Sequence, residues 1–192
     1  MHKRRTVIFG GSFNPVHIGH TSLAREVVER GLGDEVWFMV TPQNPHKQDK
    51  ELIDETIRLQ MVRLAIDGES RFKACDFEFT LPRPSYTIHT LNALEKEFPD
   101  RRFILLVGAD NWAKFDRWYS YEEILSRYSL IVYPRDCDAA PLLPANVRWL
   151  SSELYDISST MVRNMIAEGK DFSKYVSPLV FEFINENNLY RI

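Results

Sequence analysis

Two short stretches, separated by nearly the whole chain, hold residue types that could handle phosphate. The first is Gly10-Gly11-Ser12-Phe13-Asn14-Pro15-Val16-His17-Ile18-Gly19-His20. Glycines let backbone approach a ligand closely, and a following helix offers unpaired N–H groups and the positive end of its dipole. His17 and His20 are spaced to turn both rings toward one patch at a helix start, where imidazoles can donate hydrogen bonds to phosphate oxygens. The second stretch is Ile157-Ser158-Ser159-Thr160-Met161-Val162-Arg163. Ser158 or Ser159 suits an N-cap, and Arg163, about one turn later, can reach past the helix end to an anion. Each stretch has a plainer reading too. A glycine turn between strand and helix is common, a histidine there can be a cap or a surface residue, and a capped helix can carry a solvated arginine. A zinc pair is another reading of the histidines, but no third Cys, His or carboxylate ligand stands nearby, so no metal site is assigned.

The elements that must position these stretches alternate. Thr6-Val7-Ile8-Phe9 reads as a strand stopped by Gly10-Gly11, and a helical period from about Gly19 puts Leu23, Ala24, Val27 and Val28 on one face, with Gly31 and Gly33 as stops. The apolar run within Glu35 to Thr41 suits a strand buried on both faces, completing a βαβ unit and implying a parallel sheet. A polar loop from Pro42 to Lys50 follows, then a helix over roughly Asp54 to Asp67 with Ile57, Met61, Leu64 and Ala65 on one face. Phe77 and Phe79, interleaved with Asp76 and Glu78, predict a strand, and Thr87 to Phe98 a helix. Strands are expected at Phe103 to Val107, Ser129 to Tyr133 and Val147 to Leu150. A helix from about Ser158 to Glu168 and another from Ser177-Pro178 end the chain. This pattern predicts a doubly wound, Rossmann-like α/β sheet with helices on both faces and ligands at the carboxyl ends of its strands. Residues 1–192 read as one domain, with the helices from about residue 157 packed on it. Neither G-x-G-x-x-G nor G-x-x-x-x-G-K-[ST] occurs, which removes the dehydrogenase fingerprint and the P-loop.

Bulk properties narrow the partners. With 192 residues, 44% hydrophobic and 27% charged, the whole chain is expected to fold. A net charge of −3 with scattered Lys and Arg gives no footprint for a nucleic-acid polymer. Cys75 and Cys137 match no metal or disulfide pattern, and neither a signal region nor a membrane-length apolar span occurs, so a cytoplasmic location is expected.

The early G-G-S-F-x-P-x-H-x-G-H paired with the late I-S-S-T-x-x-R resembles the nucleotidyltransferase superfamily whose signatures are H-x-G-H and I-S-S-T-x-x-R. Within it the chain is most similar to the nicotinate mononucleotide adenylyltransferases, through Asn44-Pro45-His46-Lys47, Ser85-Tyr86-Thr87, Gly108-Ala109-Asp110 and Trp118-Tyr119. The resemblance implies transfer of AMP from ATP to nicotinate mononucleotide, giving nicotinate adenine dinucleotide and pyrophosphate in NAD biosynthesis. It implies that His17, His20 and Arg163 contact the ATP phosphates with help from Ser159 and Thr160, in a site that includes Gly10, Gly11, Ser12, Phe13, Gly108 and Ile157. Lys47 adds charge at the reaction centre, and Asp110 holds the adenosine side. On the acceptor side, Trp118 stacks on the pyridine ring, Thr87 and backbone near Tyr119 meet its carboxylate, and Asn14 lies close by. The family often has Asp where this chain has Asn14 and Pro where it has Asn44, so Asn14 receives no charge-dependent role.

The attacking phosphate is already an anion, and the protein's work is therefore to position and neutralise. Mg²⁺ is expected to arrive with ATP, because no carboxylate cluster for it is evident. A homo-oligomer is compatible with the sequence. Three rivals remain: a pantetheine-phosphate adenylyltransferase, against which Trp118 and the chain length argue, a cytidylyltransferase, and a module that binds ATP without turnover.

Overall fold

A computed structural model describes residues 3–42, 52–134, 142–151 and 156–191. In chain order its elements are β1 (Arg4–Gly11), α1 (Ile18–Glu29), β2 (Glu35–Val40), α2 (Glu55–Ala65), β3 (Phe72–Cys75), α3 (Thr87–Glu97), β4 (Arg101–Gly108), the short α4 (Ala109–Trp112), α5 (Tyr121–Arg127), β5 (Ser129–Tyr133), β6 (Val147–Trp149), α6 (Ser159–Ala167) and α7 (Pro178–Glu186). Three 3₁₀ turns lie between them, the first at Phe77–Thr80.

The strands form one sheet in the order β3-β2-β1-β4-β5-β6, every pair parallel. Strand order reverses between β1 and β4, and a doubly wound sheet opens its ligand crevice at the carboxyl ends flanking such a reversal. Gly11 ends β1 there and Gly108 ends β4.

Side-chain alternation divides the core into two layers. Val7, Phe9, Val36, Phe38 and Val40 pack on one side with Leu23, Ala24 and Val27 of α1, Leu59 and Met61 of α2, Val162 of α6, and Val180 and Ile184 of α7. Ile8, Trp37, Met39, Leu105 and Val107 face the other way onto Ile88, Leu91 and Leu94 of α3 and Ile124 of α5. The doubly wound α/β sheet is therefore as expected. Helix ends follow local chemistry: Ser177 caps α7, accepting from the Val180 N–H at 3.4 Å, with Pro178 in the first position, whose missing N–H has no intrahelical partner to lose.

Two sequence expectations change. The strand expected around Phe77 and Phe79 lies earlier, at Phe72–Cys75, and ends where Cys75 pairs with Met39. From Asp76 the chain tightens, the Phe79 N–H donating to the Asp76 carbonyl at 2.8 Å. Alternation misled here because Phe77 packs on the α3 side of the sheet and Phe79 on the α1 side, from a 3₁₀ turn rather than a pleat. In α2 the fully buried residues are Arg58, Leu59, Met61 and Val62, whereas Ile57, Leu64 and Ala65 sit at the margin of the core. Arg58 occupies the core position because its guanidinium donates to four carbonyls: Ser12 (2.6 Å), Thr41 (2.9 Å), Pro42 (3.0 Å) and Ile53 (2.9 Å). Burial pulls its pKa down from the usual arginine value, and these acceptors replace the water it has lost.

Candidate active site

A cavity of about 530 Å³ opens over the carboxyl ends of β1 and β4, a volume in the range of small-molecule sites. Both chemical stretches reach it. Gly10, Gly11, Ser12, Phe13, His17 and His20 line it from the first, and Ser159, Thr160 and Arg163 from the second.

The turn after β1 is shaped by close packing. Phe13 takes a left-handed backbone (φ 47°) and is buried, its ring so near Gly11 that a Cβ there would lie 3.1 Å from it. Such a conformation costs a non-glycine residue about 1–3 kcal/mol, which packing must offset. Phe13 does this through edge contacts with Phe9 (5.5 Å between centroids) and His20 (5.0 Å). His17 then caps α1, and its backbone N–H donates to His20 Nδ1 at 3.1 Å. An Nδ1 engaged as acceptor leaves Nε2 to carry the proton, so His20 is set as a donor. The two rings stack, 3.6 Å between centroids.

Gly19 joins the two stretches. A Cβ on it would meet Ile157 Cγ2 at 2.9 Å and His17 Nδ1 at 3.1 Å, so a side chain there would separate the histidines from the late motif. The late motif is bonded directly to the early turn. Ser158 caps α6, accepting from the Met161 N–H at 3.1 Å, Ser159 Oγ donates to the Pro15 carbonyl at 2.8 Å, and Arg163 Nη1 donates to the Asn14 carbonyl at 2.8 Å. Arg163 is 8% exposed, so its guanidinium is held by the fold with one edge bonded to the Asn14 carbonyl and Thr160 3.4 Å from its other terminal nitrogen.

The opposite end of the cavity is aromatic. Thr87 stands at the first position of α3, and Trp118 rests on Phe115 (5.0 Å), itself stacked on Trp112 (5.2 Å). Tyr119 is 54% exposed and tilts against Tyr86 at 4.9 Å. Three of the expected site residues stand off the cavity wall. The buried Asn14 side chain accepts from the Tyr190 hydroxyl at 2.9 Å, Ile157 packs against Gly19, and the exposed Asp110 folds back over Gly108, its Oδ1 2.5 Å from where a Cβ would be. Gly108 itself lines the cavity. Lys47, with Asn44-Pro45-His46, lies outside the described residues, as does Cys137. Cys75 is a free, buried thiol whose pKa burial raises.

A family model described as cytidylyltransferase-like matches residues 8–165, and with it the cavity's two ends. A probable nicotinate-nucleotide adenylyltransferase of Bacteroides fragilis is 51% identical over 187 residues, covering 96% of this chain and 92% of that protein. The chain belongs to this family. A second relative of the same description, from Flavobacterium johnsoniae, is 39% identical over 192 residues, covering 96% of this chain and 97% of its own. Among solved structures, Plasmodium falciparum nicotinic acid mononucleotide adenylyltransferase complexed with NaAD superposes with a TM-score of 0.79 at 19% identity, covering 97% of each chain, which is a likeness of fold.

In this family member the sequence reading missed several groups. Lys114 and Arg117 line the cavity from the segment after α4 and add positive charge beside Trp118. Their place between Gly108-Ala109-Asp110 and Trp118-Tyr119 was a usable signal. Arg58 supports the phosphate turn through the Ser12 carbonyl, and Tyr190 supports it through Asn14; nothing local in the sequence marks either. Glu78 is a buried carboxylate on the wall, hidden in a segment that alternates like a strand. Among the described residues no three His, Cys, Asp or Glu side chains are grouped to hold a metal ion, and no helix is long and apolar enough to cross a membrane.

Proposed function

We propose that this chain transfers the adenylyl group of ATP, supplied as its Mg²⁺ complex, to the 5′-phosphate of nicotinate mononucleotide, releasing pyrophosphate. The observation that carries the reading is that the stacked His17 and His20 share one cavity wall with Arg163 at the end of β1, the late motif being bonded to the early turn by Arg163 on the Asn14 carbonyl and Ser159 on the Pro15 carbonyl. An acceptor phosphate oxygen attacks the α-phosphorus, a new P–O bond forms, and the bond to the β-phosphate oxygen breaks with its electrons leaving on pyrophosphate. The attacking group needs no base, so the side chains act by holding two anions together and stabilising charge at the transferring phosphorus. His20 Nε2–H, His17 and the Arg163 guanidinium supply donors there, with the α1 N-terminus behind them. Asp110 takes the adenosine side, while Trp118 stacks on the pyridine ring and Thr87 meets its carboxylate. Lys114 and Arg117 add cations suited to an acid rather than an amide. At the phosphate end of the wall the side-chain groups are imidazoles, a guanidinium and hydroxyls, poor ligands for Mg²⁺, which fits a metal carried by the nucleotide. The reaction is placed in the cytoplasm, where ATP is supplied.

The test is to incubate the protein with ATP and Mg²⁺ plus nicotinate mononucleotide, nicotinamide mononucleotide or phosphopantetheine, and with CTP replacing ATP. Pyrophosphate and a dinucleotide are expected fastest with ATP and the nicotinate acceptor. Faster turnover of phosphopantetheine or CTP would reassign the chemistry, and ATP binding without pyrophosphate would make the chain a sensor.

A further inference from the structure

We infer that Glu78 recognises the ribose of the acceptor nucleotide by accepting hydrogen bonds from its vicinal hydroxyls, an assignment that rests on the acceptor reading above. Glu78 is 7% exposed and stands on the cavity wall. Its Oε1 accepts from Thr90 Oγ at 2.8 Å, while Oε2 is buried without a hydrogen-bond partner among the described residues. Burial raises the pKa of the carboxyl group, and the hydroxyls of Thr90 and Thr41 act against that rise, yet Oε2 itself receives no hydrogen bond of good geometry. A buried carboxylate oxygen with nothing to accept is costly, and native structures keep such groups where a ligand or water completes them.

Its neighbours locate it along the substrate. Thr41 is tied to the phosphate turn, its backbone N–H donating to the Gly11 carbonyl at 2.9 Å. Thr90 is one turn into α3, its N–H donating to the Tyr86 carbonyl at 3.1 Å, next to Thr87 at the aromatic end. Glu78 therefore stands between the group that meets phosphate and the group that meets the pyridine ring. In a mononucleotide the ribose occupies that interval. The chemistry matches: an ionised carboxylate only accepts, and a ribose presents two adjacent hydroxyl donors. Among the described residues Glu78 is the only acid on the wall, so no second carboxylate competes for that role.

A structural alternative is that Glu78 merely ties the 3₁₀ turn to α3. The two differ in stability and in substrate dependence. Burial holds the Glu78 pKa above the usual carboxylate range, so at pH 8 the ionised group weighs against the folded state. Glu78→Gln, which keeps an oxygen for Thr90, is then expected to melt at or above the wild-type temperature, and a clear fall in Tm would favour the tie. Kinetics decide. With nicotinate mononucleotide, Glu78→Gln is expected to lose about ten- to hundredfold in kcat/KM, mostly through acceptor KM, because a hydrogen bond to a charged group is lost. The KM for ATP should hold, and 2′-deoxy and 3′-deoxy analogues of the acceptor, already poor with the wild type, should lose far less. Equal losses on ribosyl and deoxyribosyl acceptors, or a loss confined to ATP, overturn the assignment. A wild type inert toward every pyridine nucleotide overturns the acceptor reading and this inference with it, whereas an active wild type with equal losses overturns the inference alone.

Discussion

At the phosphate end of the cavity the working side chains are tied to backbone and at least half-buried, with Arg163 on the Asn14 carbonyl, Ser159 on the Pro15 carbonyl and His20 on the His17 N–H; at the acceptor end Tyr119 is 54% exposed and Trp118 is held by ring contacts. The difference follows from what each end must do. Charge that develops during reaction is best met by donors fixed beforehand, whose reorganisation would otherwise add to the barrier. A planar ring can instead be gripped by stacking, which tolerates small displacements and discriminates little between similar rings. Rate should therefore reside at the first end and choice of acceptor at the second.

The largest expected effect is at His17. His17→Ala should fold and lose about two to three orders of magnitude in turnover, the scale for removing one preorganised donor. Near-normal turnover in the folded variant would break the comparison at its stronger side.

Next comes Arg163. Arg163→Ala should lower kcat/KM for ATP by about a hundredfold, as loss of a charge-assisted contact implies, and it should also lower Tm because the buried bond from the guanidinium to the Asn14 carbonyl is lost. Arg163→Lys should recover only part of each, since one ammonium cannot bond the carbonyl and still present a fork to phosphate. Full recovery by lysine would show that charge alone suffices there.

At the acceptor end, Trp118→Ala should hurt nicotinate and nicotinamide mononucleotides alike, because stacking serves either ring. Thr87→Val should instead narrow the gap between them, by about tenfold if one hydrogen bond to the carboxylate is lost. A Trp118→Ala variant that changed the ratio would mean that stacking itself carries selectivity.

The smallest expected effect lies at neither end. Ser177→Ala removes the α7 cap and should cost about 1 kcal/mol of stability, or about 2–4 °C in Tm, with kcat unchanged. A fall in kcat at a temperature where the variant is folded would show that the cavity depends on α7 more closely than its packing suggests.

The same division explains what could be read from the sequence. The phosphate end was legible because its devices are local: glycines at Gly10-Gly11, histidines three apart, a serine cap one turn before Arg163. The sheet was legible because two-sided burial leaves unbroken apolar runs such as Val36 to Val40. What stayed hidden depends on distant partners. Arg58 carries no local signal of burial; what admits it to the core is the set of Ser12, Thr41, Pro42 and Ile53 carbonyls around it. Nothing local to Asn14 announces that Tyr190, far along the chain, donates to its side-chain oxygen. The Asp76-Phe77-Glu78-Phe79 alternation imitates a strand because its two rings enter opposite layers of the core.

The central claim, that rate and acceptor choice are carried by opposite ends of one cavity, is tested most directly by the ratio of kcat/KM for nicotinate over nicotinamide mononucleotide in three proteins. Relative to wild type, Arg163→Ala should be much slower with both acceptors while the ratio stays unchanged. Thr87→Val should keep its rate with the amide while the ratio collapses. A ratio that falls in Arg163→Ala, or a Thr87→Val variant that loses rate equally on both acceptors, would contradict the claim.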